Sequence, residues 1–131
     1  MARHNEIGFI GENVASQWCV SHGYSILIRN YRKKYGEIDI VARETGGKVH
    51  FIEVKTVSYE TRSDFDRISR ETWRPEENVH HQKLRKLSRV IEVWLQENEY
   101  LGEWQIDVFA VRIVPREKLA SITRIENIII E

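Results

Sequence analysis

The residues best suited to chemistry in this chain gather in Gly36–Lys55. The stretch reads Gly-Glu-Ile-Asp-Ile-Val-Ala, passes a turn at Thr45-Gly46-Gly47, and continues Val-His-Phe-Ile-Glu-Val-Lys. Glu37 and Asp39 stand two apart, as do Glu53 and Lys55, so on a pair of strands each couple leaves its strand on one side. A glycine-containing turn between two apolar runs suits a hairpin. In register, three carboxylates and an ammonium converge at one end of that hairpin. Carboxylates crowded together repel unless a cation sits among them, and hard oxygen donors suit Mg²⁺ or Mn²⁺. The same spacing also describes the solvated face of a half-buried sheet with Glu–Lys pairs across it. The surrounding elements must decide between these two.

At 131 residues the chain is long enough for one domain with a real core, and it shows no interdomain linker, repeat or low-complexity tract. Its 20 Lys and Arg balance its 20 Asp and Glu, so any case for nucleic acid must be local rather than global. The single cysteine, Cys19, excludes a disulfide framework and a zinc ribbon. It lies in a helical apolar pattern and reads as a buried, inert thiol. There is no apolar run long enough to span a membrane and no signal-peptide core at the N-terminus. A reducing cytoplasm is the expected setting.

The elements that would position the hairpin follow in order. Asn5 to His22 is predicted to be a helix, with Ile7, Ile10, Val14, Ala15 and Trp18 as its apolar stripe and Gly23 as its stop. Glu12 falls at the edge of that stripe, where a carboxylate can be aimed at the hairpin or simply border the core. Gly8 and Gly11 beside it would let another backbone come close. Tyr24–Tyr31 is a strand by its β-branched and aromatic content, and Arg32, Lys33 and Lys34 make a basic turn into the hairpin. Ile38, Ile40, Phe51, Ile52 and Val54 make the hairpin apolar on both faces, which argues for a central place in the sheet. Charges there need partners.

Thr56 to about Arg74 is predicted to be a long loop or flap. In it Tyr59, Phe65 and Trp73 are interleaved with Arg62, Arg67, Arg70 and Arg74, and diluted by Glu60, Asp64, Asp66 and Glu71. That mixture suits single-stranded or distorted nucleic acid, or a plain solvated loop. Pro75 opens a second helix, whose stripe is Val79, Leu84, Leu87, Val90, Ile91, Trp94 and Leu95. Lys83, Arg85, Lys86 and Arg89 on this helix, with Arg32, Lys33 and Lys34 of the turn, are the candidate phosphate contacts. Trp104–Val114 and Ser121–Ile130 are the last strands, and Asp107 sits among apolar neighbours in the first of them, able to serve the site or to cap a turn. The order α-β-β-β-α-β-β makes an α/β domain spanning residues 1–131, a mixed sheet flanked by helices. Its first three strands form an antiparallel meander, and its fourth is parallel after the crossover.

This layout resembles the restriction-endonuclease-like PD-(D/E)xK nuclease superfamily, and more closely the YraN family of small bacterial proteins. The matching pieces are Gly8-x-x-Gly11-Glu12, Arg29-Asn30-x-Arg32, Gly36-Glu37-Ile38-Asp39-Ile40-Val41-Ala42, Phe51-Ile52-Glu53-Val54-Lys55-Thr56 and Val79-x-x-x-Lys83 with Leu87, and more loosely Ile106-Asp107-Val108. Archaeal Holliday-junction resolvases resemble the chain more distantly. The resemblance implies a Mg²⁺- or Mn²⁺-dependent nuclease that hydrolyses DNA, with branched DNA as substrate and a homodimer as assembly. Asp39 and Glu53 would hold the metal together with the Val54 carbonyl, and Glu12 would bind the metal or its water. Lys55 would orient the attacking water and offset transition-state charge. Glu37 would act from a second shell or bind a second ion. Where the family has an arginine after the threonine, this chain has Val57, which bears on substrate contacts and not on the metal ligands. The alternatives are a non-catalytic nucleic-acid-binding module on the same fold, or a protein adaptor using the Thr56–Arg74 segment.

Overall fold

The computed structural model describes residues 2–71 and 81–129. Helix α1 (Ala2–Ser21) is followed by β1 (Ser25–Lys33), β2 (Gly36–Arg43) and β3 (Val49–Ser58). Then come α2 (Arg62–Glu71), α3 (His81–Glu97), β4 (Trp104–Val114), a short 3-10 turn at Pro115–Glu117 and β5 (Leu119–Ile125). The five strands lie in one sheet in chain order, with β1–β2, β2–β3 and β4–β5 antiparallel and β3–β4 parallel. This is the predicted mixed α/β sheet, with one further helix, α2, in the crossover.

The sheet carries an apolar core on each face, which explains the two-sided hydrophobicity of the hairpin. On one face α3 packs Leu84, Leu87, Val90, Ile91 and Trp94 against Tyr31, Ile38, Val41, Val49, Phe51 and Ile106. On the other, Ala15 and Cys19 of α1 pack against Ile40, Ala42, Ile52, Phe109, Val111 and Ile113, with Ile7, Val14 and Trp18 beside them. Burial pushes the Cys19 thiol up to about 11, which fits an inert core cysteine. Ile10, expected in the stripe, is 36% exposed. The helix meets the sheet at Gly11, and the next residue along a helix points about 100° away.

The segment after Thr56 differs from the predicted loop. β3 continues to Ser58 because β4 pairs with it up to Ser58↔Ile113. Helix α2 then starts behind Thr61, whose hydroxyl accepts from the Asp64 N–H at 3.1 Å. Its aromatics serve packing rather than presenting to solvent. Tyr59 is buried, Phe65 meets it edge-on at 5.8 Å, and the Arg112 guanidinium lies 4.4 Å from the Phe65 ring centre. Trp73, Arg74, Pro75, Val79 and His80 fall outside the described residues. β5 ends at Ile125, before the predicted Ile130, because Asn127 turns left-handed (φ 56°) and the Ile128 N–H donates back to the Ile106 carbonyl at 2.7 Å.

Asp107 is a structural residue. It is 1% exposed, and His50 beside it on β3 is 2% exposed. The His50 Nδ1 is 2.6 Å from Asp107 and its Nε2 is 2.6 Å from Glu44. Asp107 also accepts from Gln105 Nε2 (2.7 Å) and the Asn127 N–H (3.0 Å), tying the C-terminal segment to the sheet. Burial works against a charged His50, but the two carboxylates outweigh it and hold the imidazole above its usual range. A raised histidine favours folding below its unfolded pKa, about 6.5, and loses that contribution as pH rises through its folded value. Asp107→Asn should therefore destabilise the protein by roughly 2–4 kcal/mol, more at pH 6 than at pH 9, as measured by urea unfolding at the two pH values.

Candidate active site

The candidate site forms where the central hairpin opens. β2 and β3 pair from Arg43↔Val49 to Ile40↔Ile52, and there the ladder stops. Asp39 takes over the next bond: its Oδ2 accepts from the Val54 N–H at 2.7 Å. In an extended strand the N–H and C=O of one residue point to the same edge, so the Val54 carbonyl faces the same opening. The alternation of β2 also breaks at this point. Ile38 packs in the α3-side core and Ile40 in the α1-side core, although residues two apart normally share a face. Opposite, Asn30 of β1 takes a left-handed conformation, φ 53°. The irregularity lets Asp39 and Glu37 both meet a carboxylate arriving from α1.

That carboxylate is Glu12. Helix α1 comes exceptionally close to β3 one residue earlier, since a Cβ built on Gly11 would lie 1.9 Å from Thr56 Oγ1 and 2.8 Å from Thr56 Cβ. Gly8 is different: a Cβ there meets nothing within 4 Å. One carboxylate oxygen each from Glu12, Glu37 and Asp39 lie within 4.8 Å of one another. Arg29 holds Glu12 from β1, its guanidinium 3.7 Å from Oε1 and donating to Asn13 Oδ1 at 2.9 Å. The Asn30 amide, oriented as its neighbours require, donates to Glu12 Oε1 and Glu37 Oε1 at 2.9 Å each. Arg32 donates twice to Glu37 Oε2, at 2.9 and 3.2 Å.

Burial pushes the Asp39 carboxyl up to about 8, helped by the negative charge of Glu53 and then of Glu12 and Glu37, and opposed by the Val54 N–H. Glu12 is likewise raised, by burial and by Glu37 against the pull of Arg29. Glu53 is 8% exposed, and its Oε1 is 3.8 Å from Lys55 Nζ. Of the predicted residues, Glu12 and Asp39 share the acid cluster, Glu53 is near enough to raise Asp39, and Lys55 is placed by its approach to Glu53. Glu37, expected in a supporting role, stands inside the tightest acid cluster. Asn30 and Arg29 lay in a matched sequence segment, but residue type alone assigned them no role. They bind the acids because of the left-handed turn at Asn30, which only the structure reveals.

Beside the acids opens a cavity of about 630 Å³, lined by Gly8, Phe9, Glu12, Arg29, Asn30, Arg32 and Glu37. The basic surface lies around the β1–β2 turn. A Cβ on Gly36 would touch Val90 and Lys86, so α3 packs against this turn. Arg85, Lys86 and Arg89 are exposed, as are Arg32 and Lys34. The Arg89 guanidinium lies 5.6 Å from the ring centre of the exposed Tyr35. Lys33 is drawn off toward Glu97, 2.9 Å away. Lys83 belongs to α3, but its side chain is outside the described residues. No helix among the described residues is long and apolar enough to cross a membrane.

The sequence profile of the uncharacterised protein family UPF0102 matches residues 11–111. A UPF0102 protein of Mycolicibacterium vanbaalenii is 36% identical over 94% of this chain and 93% of its own length. Others from Beutenbergia cavernae (38%, covering 85% of this chain and 86% of the relative) and Campylobacter fetus (34%, 79% and 81%) are similar.

Two outcomes test this geometry. Gly11→Ala should cost roughly 1–3 kcal/mol in urea unfolding through overpacking, and adding Thr56→Ala should recover part of the loss. A carboxyl whose folded pKa is raised binds its proton more tightly in the folded state. It therefore destabilises the metal-free fold progressively from its unfolded pKa near 4 up to about 8. Asp39→Asn, which keeps an acceptor for Val54, should raise the melting temperature in EDTA, and by more at pH 8 than at pH 5.

Proposed function

The chain belongs to the uncharacterised protein family UPF0102, and we propose that it is a metal-dependent nuclease hydrolysing DNA phosphodiester bonds at the opened end of its hairpin. The observation that carries this reading is the crowding of Glu12, Glu37 and Asp39 within 4.8 Å, with Asp39 pushed up to about 8. Such a cluster is strained in its charged form, and a divalent cation with hard oxygen ligands relieves it. The donors fit Mg²⁺ or Mn²⁺: carboxylates from Asp39, Glu12 and Glu37, the Val54 carbonyl at the same opening, and Glu53 close enough to act on Asp39. The bound ion would supply Lewis acidity toward a phosphate oxygen and toward water.

The remaining work belongs to the chain's own residues. Lys55 brings an ammonium to a site otherwise dominated by acids, where negative charge builds on the phosphoryl group during attack. Glu53, 3.8 Å from it, holds that ammonium in place. Asn30, Arg29 and Arg32 fix the orientation of Glu12 and Glu37, which keeps the acids pre-organised. Lys86 and Arg89, beside the β1–β2 turn, and the exposed Arg85 on the same helix supply phosphate contacts that position a DNA backbone without reading its sequence. Branched DNA as substrate and a two-fold homodimer rest on the resolvase resemblance. The lone buried Cys19 agrees with a cytoplasmic setting. A binding module without cleavage would use the basic surface alone, and it gains nothing from carboxylates turned toward phosphate.

Calorimetric titration with Mn²⁺ separates these readings without a guess at substrate. The wild type should bind Mn²⁺ and Asp39→Asn should not. In a cleavage screen over linear, flapped and four-way DNA, Asp39→Ala and Lys55→Ala should each lose at least about 100-fold in rate with unchanged circular dichroism. Full activity in either variant would overturn the assigned mechanism.

A further inference from the structure

We propose that the cavity beside Glu12 and Glu37 receives an unpaired nucleobase stacked on Phe9, so that the substrate carries unpaired nucleotides next to the reacting phosphate. This rests on the nuclease reading and extends it from a reaction to a substrate class. Phe9 is 54% exposed and lies three residues before Glu12 on α1, a spacing that puts both on neighbouring positions of one helix face. Both line the same cavity. Gly8 completes that wall, and the space where its side chain would be is open.

The remaining walls are polar. Arg32, with a side chain 77% exposed, uses two of its donors on Glu37 and keeps others. The Arg29 Nε is buried without a hydrogen-bond partner. An apolar peptide side chain entering here would bury four charged groups for one ring contact. A nucleotide matches the whole lining: its base has a π-face for Phe9, and its phosphate meets guanidinium groups and the acid cluster that takes the cation. The volume, about 630 Å³, falls within the range of about 300–1,000 Å³ typical of small-ligand pockets. A base within a duplex is stacked on both sides and cannot reach such a wall, so the base must already be unpaired or be extruded.

The test is binding by fluorescence anisotropy in Ca²⁺, with 2-aminopurine at the unpaired position, on a single strand, a flapped duplex and a blunt duplex. Wild type should prefer the first two and quench the probe. Phe9→Ala should weaken binding to them by about 5- to 150-fold, abolish quenching, and leave blunt-duplex binding within about twofold. Phe9→Trp should retain both preference and quenching. Mn²⁺ affinity and melting temperature should be the same in Phe9→Ala and wild type, since the ring is exposed. Equal binding of all three DNAs by wild type, or wild-type behaviour in Phe9→Ala, overturns the pocket assignment and leaves the nuclease reading standing. Failure of wild type to bind any of the three overturns both.

Discussion

Everything in this domain turns on the repulsion among carboxylates at the open end of the β2–β3 hairpin. Asp39 is half-buried within reach of three other acids, and burial and neighbours both disfavour its charge. A fold tolerates this only if other groups compensate. Here the compensation is local: the Val54 N–H on Asp39, Asn30 and Arg29 on Glu12, Arg32 on Glu37, and Lys55 on Glu53. Each acid has a partner, yet Asp39 and Glu12 remain raised. That surplus negative potential is what the proposed cation would relieve.

The helices are arranged around that constraint. Glu12 can join the cluster only if α1 lies almost on top of β3, and the absence of a side chain at Gly11 makes room for Thr56. The rest of α1 anchors the approach by burying Ala15 and Cys19 against Ile40 and Ile52, the last paired residues before the ladder opens. On the opposite face Ile38 and Phe51 hold the same hairpin against α3. Both cores therefore clamp the strands on either side of the gap. That rigidity keeps like charges close when they would otherwise relax apart. The His50–Asp107 network lies further along β3 and β4. It fixes the C-terminal segment and has no part in the acid cluster.

Much of this was legible in the sequence. The hairpin announced itself by apolar runs about a glycine turn, and its charged pairs do lie near one another: Glu37 and Asp39 cluster, Glu53 acts on Asp39, and Lys55 approaches Glu53. The parallel fourth strand followed from the length of the crossover. Other features were not legible for physical reasons. Alternation assumes a regular strand, and β2 is irregular at Asp39, so the hairpin pattern brought Glu37 toward the other acids but could not show that it, rather than Glu53, shares the tight cluster with Glu12 and Asp39. Arg-and-aromatic interleaving made α2 read as a loop, because Phe65 and Arg112 are distant in sequence but stack in space. The capping pattern Thr61-x-x-Asp64 was the signal that could have revealed the helix. Ile10 was misplaced because the buried stripe is centred on Gly11, a residue with no hydrophobicity to count.

Net neutrality, finally, is no obstacle to a partner as anionic as DNA. Charge in this chain is segregated rather than absent. Both sets lie toward the β1–β2 turn end of β2: the acids gather with Glu12 of α1, while Lys86 and Arg89 are carried by α3, which packs on the opposite face of the sheet. At physiological salt the field of an exposed charge decays within about 8 Å, so a phosphate responds chiefly to the charges of the face it approaches. Close to the gap the balance reverses, and only a bound cation would make the site acceptable to a phosphodiester. Affinity and chemistry are then separable within one end of the sheet: the basic residues would hold the backbone at any metal concentration, and the gap would engage it only when loaded. Arg32, joined to Glu37 at one end and adjacent to the basic turn at the other, is where the two regions meet.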